Sequence, residues 1–548
     1  MGYNLTIVKL PKKEKSNMKK VGTLLLAVCI LIASTGCGAS QGFDPNKKQV
    51  FVSIFNGGFG YDWLETSAQE FNAANTDTEI IIRPNSDGYT KIRADLEAGT
   101  SQYDVYFTNT PLIKEFAAMG LVEPLNDVYE MQADEGNPRT IREKIIDYDI
   151  FKTAFSGSDG DTMYALPHTD AMEGFIYDHD LFVEKDLLFK NPDGSLTVGK
   201  DGIPNTYDDG LPVDIEEWEE LLENIKSEGI YPFIWNRQFT DYFNCINEAM
   251  WAQYDGVDNY LISFNYNGTY VNPSTHEQVG ITQETGYKAY AMEGKKKAVE
   301  FMDRYMTGRY FTGGQEYIHP AAKKLGTSHR DAQDAFILGY KNASSNPRSA
   351  MIVEGVWWEN EARNMFNTLE RQGETSQKYG TRDFRFMPLP DMDDGKNEKS
   401  VFYISENATI FIKKQSDAVK LDAAKRFIAY TCTDKVLKRF TIATNGMRAY
   451  KYDLSPEELA QLTNLGRNAY AIYHDTEHVQ LIRPTIERFK SQLNYAITPS
   501  AQRWVAKIGN TTPSEAFDAL QTVNANTYWT AMLEYNNAER WAGYCNKL

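Results

Sequence analysis

"QVFVSIFNGGFGYDWLETSAQEFN", Gln49 to Asn72, is the stretch on which the fold turns. Val50 to Phe55 is a β-branched and aromatic run that reads as a buried strand. The chain then breaks at Asn56-Gly57-Gly58-Phe59-Gly60, and a helical pattern carries Trp63, Leu64, Ala68 and Phe71. Strand, glycine loop and helix together raise the question of a phosphate cradle. A dinucleotide fingerprint needs G-x-G-x-x-G, and here the third glycine is absent; the Gly-Lys-Ser/Thr ending of a Walker loop is absent too. Asp62 at the helix start would repel an anion. Two readings stay open. The glycines serve a tight turn that needs their backbone freedom, or the bare loop, flanked by Asn56, Phe59 and Tyr61, lines a cleft for a neutral, polar ligand.

Outward from this unit the pattern repeats. Strand Thr78–Pro84 leads to helix Tyr89–Gly99, and strand Tyr103–Asn109 leads to helix Pro111–Met119, stopped by Gly120. Alternation at this spacing predicts a parallel sheet. Ligands of such sheets bind beyond the carboxyl ends of the strands. Both the Asn56–Gly60 loop and Asn109 are expected at that edge.

The chain has 548 residues, enough for more than one core, and a net charge of −18. Residues 1–36 carry six Lys and one Glu, so their removal would leave −18 − 5 = −23. Such a surface argues against nucleic acid and polyanionic ligands. Aromatics make up 13% of the residues, with 33 Tyr and 9 Trp, the supply of flat apolar rings that stacking on sugars requires. From Met18, "MKKVGTLLLAVCILIASTGC" places two Lys before an apolar core from Val21 to about Ala33, too short for a comfortable bilayer span and suited to a secretory leader. Its end, Ser34-Thr35-Gly36-Cys37, resembles a bacterial lipobox, in which Cys37 becomes the lipidated first residue. Cys245, Cys432 and Cys545 form no disulfide framework, and there is no C-x-x-C.

Further along, "YDVYFTNTPLIKEFAAMGLVEPLNDV" resembles the strand, helix and turn of extracellular solute-binding proteins that serve carbohydrate ABC importers. Tyr164-Ala165-Leu166-Pro167 followed by Phe175-Ile176-Tyr177-Asp178 is similar to their first crossing between lobes. Asp214–Leu222 is similar to their Trp-containing helix, and "SAMIVEGVWWENEAR" (Ser349–Arg363) to their "aM-x-x-x-G-x-W" segment. Asp383–Asp391 and Ala423–Tyr450 resemble the later strand, helix and turn. The resemblance spans most of residues 50–450. It implies an α/β, two-lobed fold of the type II periplasmic-binding-protein kind, its ligand cleft lying between lobes joined by hinge segments. After a leader at 1–36 and a linker at 37–48, the first lobe is expected at about 45–165 plus 405–445. The second takes about 170–400 plus 447–548. The crossings fall near Tyr164–Tyr177, Val401–Phe411 and Thr444–Arg448.

What the resemblance implies for function is a receptor without chemistry of its own. It would act as a monomer, lipid-anchored on the extracytoplasmic face of the cell membrane, and hand a carbohydrate, favoured as an oligosaccharide, to a membrane permease. A polyol or peptide is the alternative solute. The residues expected at the ligand are Asn56, Phe59 and Tyr61 on the glycine loop and Asn109 after the third strand. His168, Asp170 and Glu173 stand at the first crossing; Trp235, Asn236 and Tyr242 lie in "YPFIWNRQFTDYF". Glu354, Trp357 and Trp358 form "EGVWW", and Glu406 and Asn407 stand at the second crossing. Adjacent Trp357 and Trp358 must point in different directions, so one is expected in the core; Trp357 matches the family's stacking position better.

Three other strings suggest chemistry. "HDTEH", His474 to His478, would place His474 and His478 on one helical face beside Glu477, an inverted-zincin spacing that needs a third ligand for zinc hydrolysis. Glycosidase action would need two carboxylates across a sugar; Glu173, Glu354 and Glu406 are near the expected cleft. "NPDGSLTVGKDGIPNTYDDGLP" (Asn191–Pro212) clusters Asp193, Asp201, Asn205, Asp208 and Asp209 without EF-hand spacing, and reads either as two solvated turns or as a structural Ca²⁺ loop. No cofactor is required by the receptor reading.

Overall fold

The computed structural model describes residues 44, 46–109, 113–239, 242–306, 317–324, 326–392, 398–405, 408–491, 520 and 523–546. The leader, Cys37, Glu406 and Asn407 lie outside the described residues. Among the described residues, no helix is long and apolar enough to cross a membrane.

The opening stretch folds as strand β1 (Lys48–Phe55) and helix Asp62–Ala74, then β2 (Thr78–Asn85), helix Tyr89–Glu97 and β3 (Val105–Thr108). β1 pairs parallel with both β2 and β3. Two later strands complete this sheet: β4 (Leu166–Pro167) at the edge and β12 (Thr409–Ile412) between β3 and β4, antiparallel to both. The order is β2-β1-β3-β12-β4. β1 hides Val50, Val52, Ser53 and Ile54, a nearly continuous run that suits a strand covered on both faces.

A second sheet is ordered β13-β11-β5-β9-β6. These are β13 (Val479–Ile482), β11 (Ser400–Ser405), β5 (Ala171–Asp178), β9 (Ser349–Gly355) and β6 (Tyr231–Ile234). β10 (Phe384–Met387) pairs with the later half of β5. A separate hairpin, β7 (Gly268–Val271) and β8 (Gln278–Ile281), stands apart. Along β5 the side chains alternate between two cores. Met172 and Ile176 pack with the aromatics Phe336, Trp358 and Phe384, while Phe175 and Tyr177 pack with Trp218 and Phe233. Both faces of the second sheet are thereby covered.

Chain passes from one sheet to the other at β4 to β5 and at β11 to β12. The segment after helix Asp434–Thr444 runs beside them: Asp170 N–H donates to the Met447 carbonyl at 3.0 Å. Arg448, fully buried, ties the passages together. Its Nε donates to the His168 carbonyl and its Nη1 to the Thr431 carbonyl, both at 2.9 Å, and its guanidinium lies 5.7 Å from the Trp63 ring.

Candidate functional site between the sheets

The glycine loop answers its own question through what lies against it. A Cβ on Gly58 would sit 2.3 Å from Cδ1 of Trp357, and one on Gly355 would sit 2.3 Å from the far edge of the same indole. The Trp357 ring thus bridges the loop after β1 and the end of β9. Phe59 meets it edge-on at 5.7 Å between centroids. Asn360 Nδ2 donates to the Gly58 carbonyl at 2.6 Å. The glycines are required because an indole from the second sheet's side occupies the space their side chains would fill. Gly60 adds the turn, at φ +61°.

Near the indole three carboxylates, those of Glu173, Glu354 and Glu361, are gathered. β5 and β9 are paired so that Glu173 stands opposite Gly355 and Gly174 opposite Glu354. Gln333 Nε2 donates to Glu354 Oε1 at 3.1 Å and to Glu361 Oε2 at 2.9 Å. His329 Nε2 lies 3.3 Å from Glu361 Oε1. Burial pushes Glu173 up to about 7, moderated by a hydrogen bond from Ser405. Burial and then the Glu361 charge hold Glu354 well above the usual carboxylate range. Tyr242 hydrogen-bonds Trp357 and is held high by burial and by Glu354, Glu173 and Glu361. Asn236 follows β6 as Glu354 follows Ile352 on the paired strand β9. It is 1% exposed; its Oδ1 accepts from Phe239 N–H at 2.7 Å, and its Nδ2 has no protein partner. Carboxylates and an indole are thus gathered where β9 ends, and the unpartnered Asn236 amide stands two residues past the end of β6.

A crevice of about 290 Å³ opens beside the loop, lined by Phe59, Tyr61, Asn360, Arg363, Tyr379 and Asn445 among others. Arg363 lies over the Tyr379 ring at 4.2 Å, and Asn445 Nδ2 donates to Tyr379 Oη at 3.3 Å. Asn56 and Asn109 are exposed at the carboxyl ends of β1 and β3.

Four expected ligand residues are placed for packing instead. Trp358 is 0% exposed among Phe336, Phe366 and Phe384, because the turn after Gly355 aims successive indoles opposite ways. Trp235 is buried against Phe243 in the other core. His168 is enclosed by Trp63, Phe107 and Phe440, and burial and the Arg448 charge keep it well below its ordinary pKa. Asp170 accepts from Arg483 Nη2 at 2.7 Å and Nε at 3.1 Å and from the Tyr473 hydroxyl, a buried ion pair at the crossing. Sequence reading did not single out Glu361, Gln333, His329, Asn360 or Ser405. Asn360 and Glu361 carried a signal, since they follow Trp357 by one helical turn in "WWENEAR"; Gln333 and His329 carried none.

The metal readings change. The helix Asn464–His474 ends at His474, so "HDTEH" is a turn and the two imidazoles do not share a helical face. His474 stacks on Tyr470 at 4.0 Å and bonds its carbonyl. In the Asn191–Pro212 loop, Asp193 accepts from Ser195 N–H and Oγ, Asp208 accepts from the Lys200 and Asp201 N–H groups, and Asp209 accepts from Asn205 N–H. Asn205 itself sits at φ 67°. Of these five, Asp201 is the one drawn into a group of ligand-type side chains among the described residues, and its companions are Asp475 and His478.

The family model for bacterial extracellular solute-binding proteins matches residues 60–436. The chain belongs to that family. Solved structures agree on the fold. A probable secreted solute-binding lipoprotein from Streptomyces coelicolor is 11% identical, with a TM-score of 0.57 over 91% of this chain and 100% of that one. RafE in complex with raffinose, a protein also solved ligand-free from Streptococcus pneumoniae, is 14% identical, with a TM-score of 0.53 over 89% and 99%. A protein from work on xylan utilization by Caldanaerobius polysaccharolyticus is 13% identical, with a TM-score of 0.56 over 89% and 100%. Comparison with curated protein sequences returns no match. The fold is thus the two-lobed solute-binding architecture.

Proposed function

We propose that this solute-binding protein captures a carbohydrate of oligosaccharide size and delivers it to an ABC importer, held to the extracytoplasmic membrane face by lipid on Cys37. The observation that carries the carbohydrate reading is the group at the end of β9 in which Tyr242 hydrogen-bonds the Trp357 indole beside Glu173 and Glu354, with the Asn236 amide unpartnered just past β6. A pyranose offers an apolar face to an indole and a rim of hydroxyls to carboxylates and amides. Raffinose on RafE, and a chitin oligosaccharide binding protein among the similar folds, lend support. Closure would follow from ligand contacts with both lobes, since only differential affinity for the closed form drives it. Residues of the loop after β1 and of β9 supply those contacts, and the crossings with Arg448 supply the hinge.

Thermal-shift and calorimetric screening against raffinose, xylo-oligosaccharides and chito-oligosaccharides tests this reading. Saturable stabilisation by at least one sugar is expected. Stabilisation by a peptide or polyol panel with none from any sugar would refute it. The raised Glu173 and Glu354 are also where a glycosidase would have its acid. Incubation with oligosaccharides should release no reducing ends, and steady release would turn the reading to hydrolysis.

A further inference from the structure

We propose that Asp201, Asp475 and His478 form a site for a divalent transition cation of the zinc class. Their donor atoms lie within 4.8 Å of one another. Asp201 comes from the Asn191–Pro212 loop, and the other two from the turn between helix Asn464–His474 and β13. In that turn Asp475 Oδ1 accepts the His478 backbone N–H at 3.0 Å, which brings the imidazole Nδ1 to 3.0 Å and 3.2 Å from the two carboxylate oxygens. The turn is fixed to the second sheet, for Ser400 N–H donates to the His478 carbonyl at 2.9 Å.

Asp201 supplies the independent sign of a cation. Its Oδ1 accepts the Ile203 N–H at 2.7 Å, but its Oδ2 is closed to solvent and has no hydrogen-bond partner. A buried carboxylate oxygen without a partner is unfavourable, and a bound cation would satisfy it. The loop that carries it is braced. Asp208 Oδ2 accepts the N–H groups of Lys200 and Asp201 at 2.8 and 3.1 Å, and its Oδ1 accepts from Thr206 at 2.9 Å. Gly199, at φ +61°, lets the loop close over Asp208, whose carboxyl carbon would be 2.4 Å from a Cβ there.

One imidazole and two carboxylates are nitrogen and oxygen donors in the number that zinc accepts from protein, with a fourth position for water. Calcium takes six to eight oxygens, which this group does not offer. A tetrahedral ion spaces its donors by roughly 3.4 Å, so no pair need draw together by more than about 1.4 Å. The bound ion would clip the loop to the edge strand of the second sheet. His478 adjoins β13, whose Val479 pairs with Ser400, whereas Ser405 at the other end of β11 bonds Glu173. Five residues of strand separate the two by roughly 17 Å, so the clip acts on stability and leaves solute binding alone.

The test uses the full chain in detergent, stripped with EDTA and then titrated with Zn²⁺ alone, by calorimetry and by melting. Zn²⁺ should raise the melting temperature, because it binds the folded form. His478→Gln and Asp201→Asn should each weaken Zn²⁺ binding at least about tenfold and lower the stoichiometry at saturation by one ion, while the exposed His474→Gln should change neither. Comparing stoichiometries also separates this site from zinc held by Cys545. No Zn²⁺-linked shift in the wild-type protein overturns the proposal even if a variant fails to fold. So does unchanged binding in folded His478→Gln, or stabilisation by Ca²⁺ but not Zn²⁺, lost in Asp209→Asn, which would return the loop to the calcium reading.

Discussion

Gly58→Ala tests whether the contact between glycine loop and indole belongs to the closed, solute-holding arrangement. The added methyl would lie 2.3 Å from Trp357 Cδ1 and 2.8 Å from Cγ, against an ordinary carbon contact of about 3.5 Å. The ring cannot yield the missing 1.2 Å or so by itself. Gly355 lies against its opposite edge, Phe59 meets it edge-on, and Tyr242 bonds it. The Gly58 backbone does not need a left-handed conformation, so alanine is tolerated wherever the lobes are apart. Overpacking of one methyl costs roughly 1–3 kcal/mol. Opening relieves that cost entirely, so it falls on closure, and at 1.4 kcal/mol per decade the affinity for solute should fall by roughly 5- to 150-fold. Small-angle scattering at a solute concentration that closes the wild type should show a larger radius of gyration for the variant. The decisive measurement is a double-mutant cycle with Trp357→Ala, which removes the obstructing ring. In that background Gly58→Ala should cost almost nothing. An equal loss in both backgrounds, or wild-type affinity and scattering for Gly58→Ala alone, would refute the proposed closed contact.

Four further outcomes are expected. Trp357→Ala should weaken sugar binding by roughly tenfold to several-hundredfold through lost ring burial and stacking, with the ligand-free fold retained, whereas Trp358→Ala should cost roughly 3–5 kcal/mol of stability by denaturant melting. Asp170→Asn should cost about 3–5 kcal/mol, because it leaves the buried Arg483 guanidinium short of its partner. Glu173, Glu359 and Asp255 are each pushed up to about 7 by burial. Between their ordinary carboxyl range and pH 7 the folded state therefore holds protons that the unfolded chain has released. Stability should fall as pH rises through that window, and Glu359→Gln should flatten the decline in melting temperature between pH 5 and 8. Cys37→Ala should release the protein into the medium; persistent membrane retention in cell fractionation would refute the lipid anchor.

How much of this was legible beforehand follows from what kind of physics each feature rests on. The β1–loop–helix unit and its two repeats were readable because strand and helix periodicity are local, and β1, β2 and β3 do pair in parallel. The second sheet was reached through resemblance to a family, since β11, β5, β9 and β6 come from residues spread between 171 and 405 and no local pattern sets their order. At the site, polar residue type was a poor guide to exposure. His168 and Asp170 look like ligand residues in sequence, yet both are used to hold the crossing, where a bend in the chain leaves polar groups that must be satisfied inside the protein. "HDTEH" failed as a helix for the same local reason: Asp475 turns its carboxylate back onto the His478 N–H, an alternative that short polar side chains offer the backbone. Gln333 was invisible, because its role of joining Glu354 to Glu361 depends on a helix far along the chain packing beside β9. These residues suggest a division of labour. The crossing is held by the buried Asp170–Arg483 ion pair, while at the proposed solute recess burial raises the Glu173 and Glu354 carboxyls and, against burial, hydrogen bonds from His329 and Gln333 lower that of Glu361. Of the two, only the recess should respond to solute identity. An Arg448→Met variant is thus expected to weaken every bound sugar by a similar factor, and a Gln333→Ala variant to change the ranking among them.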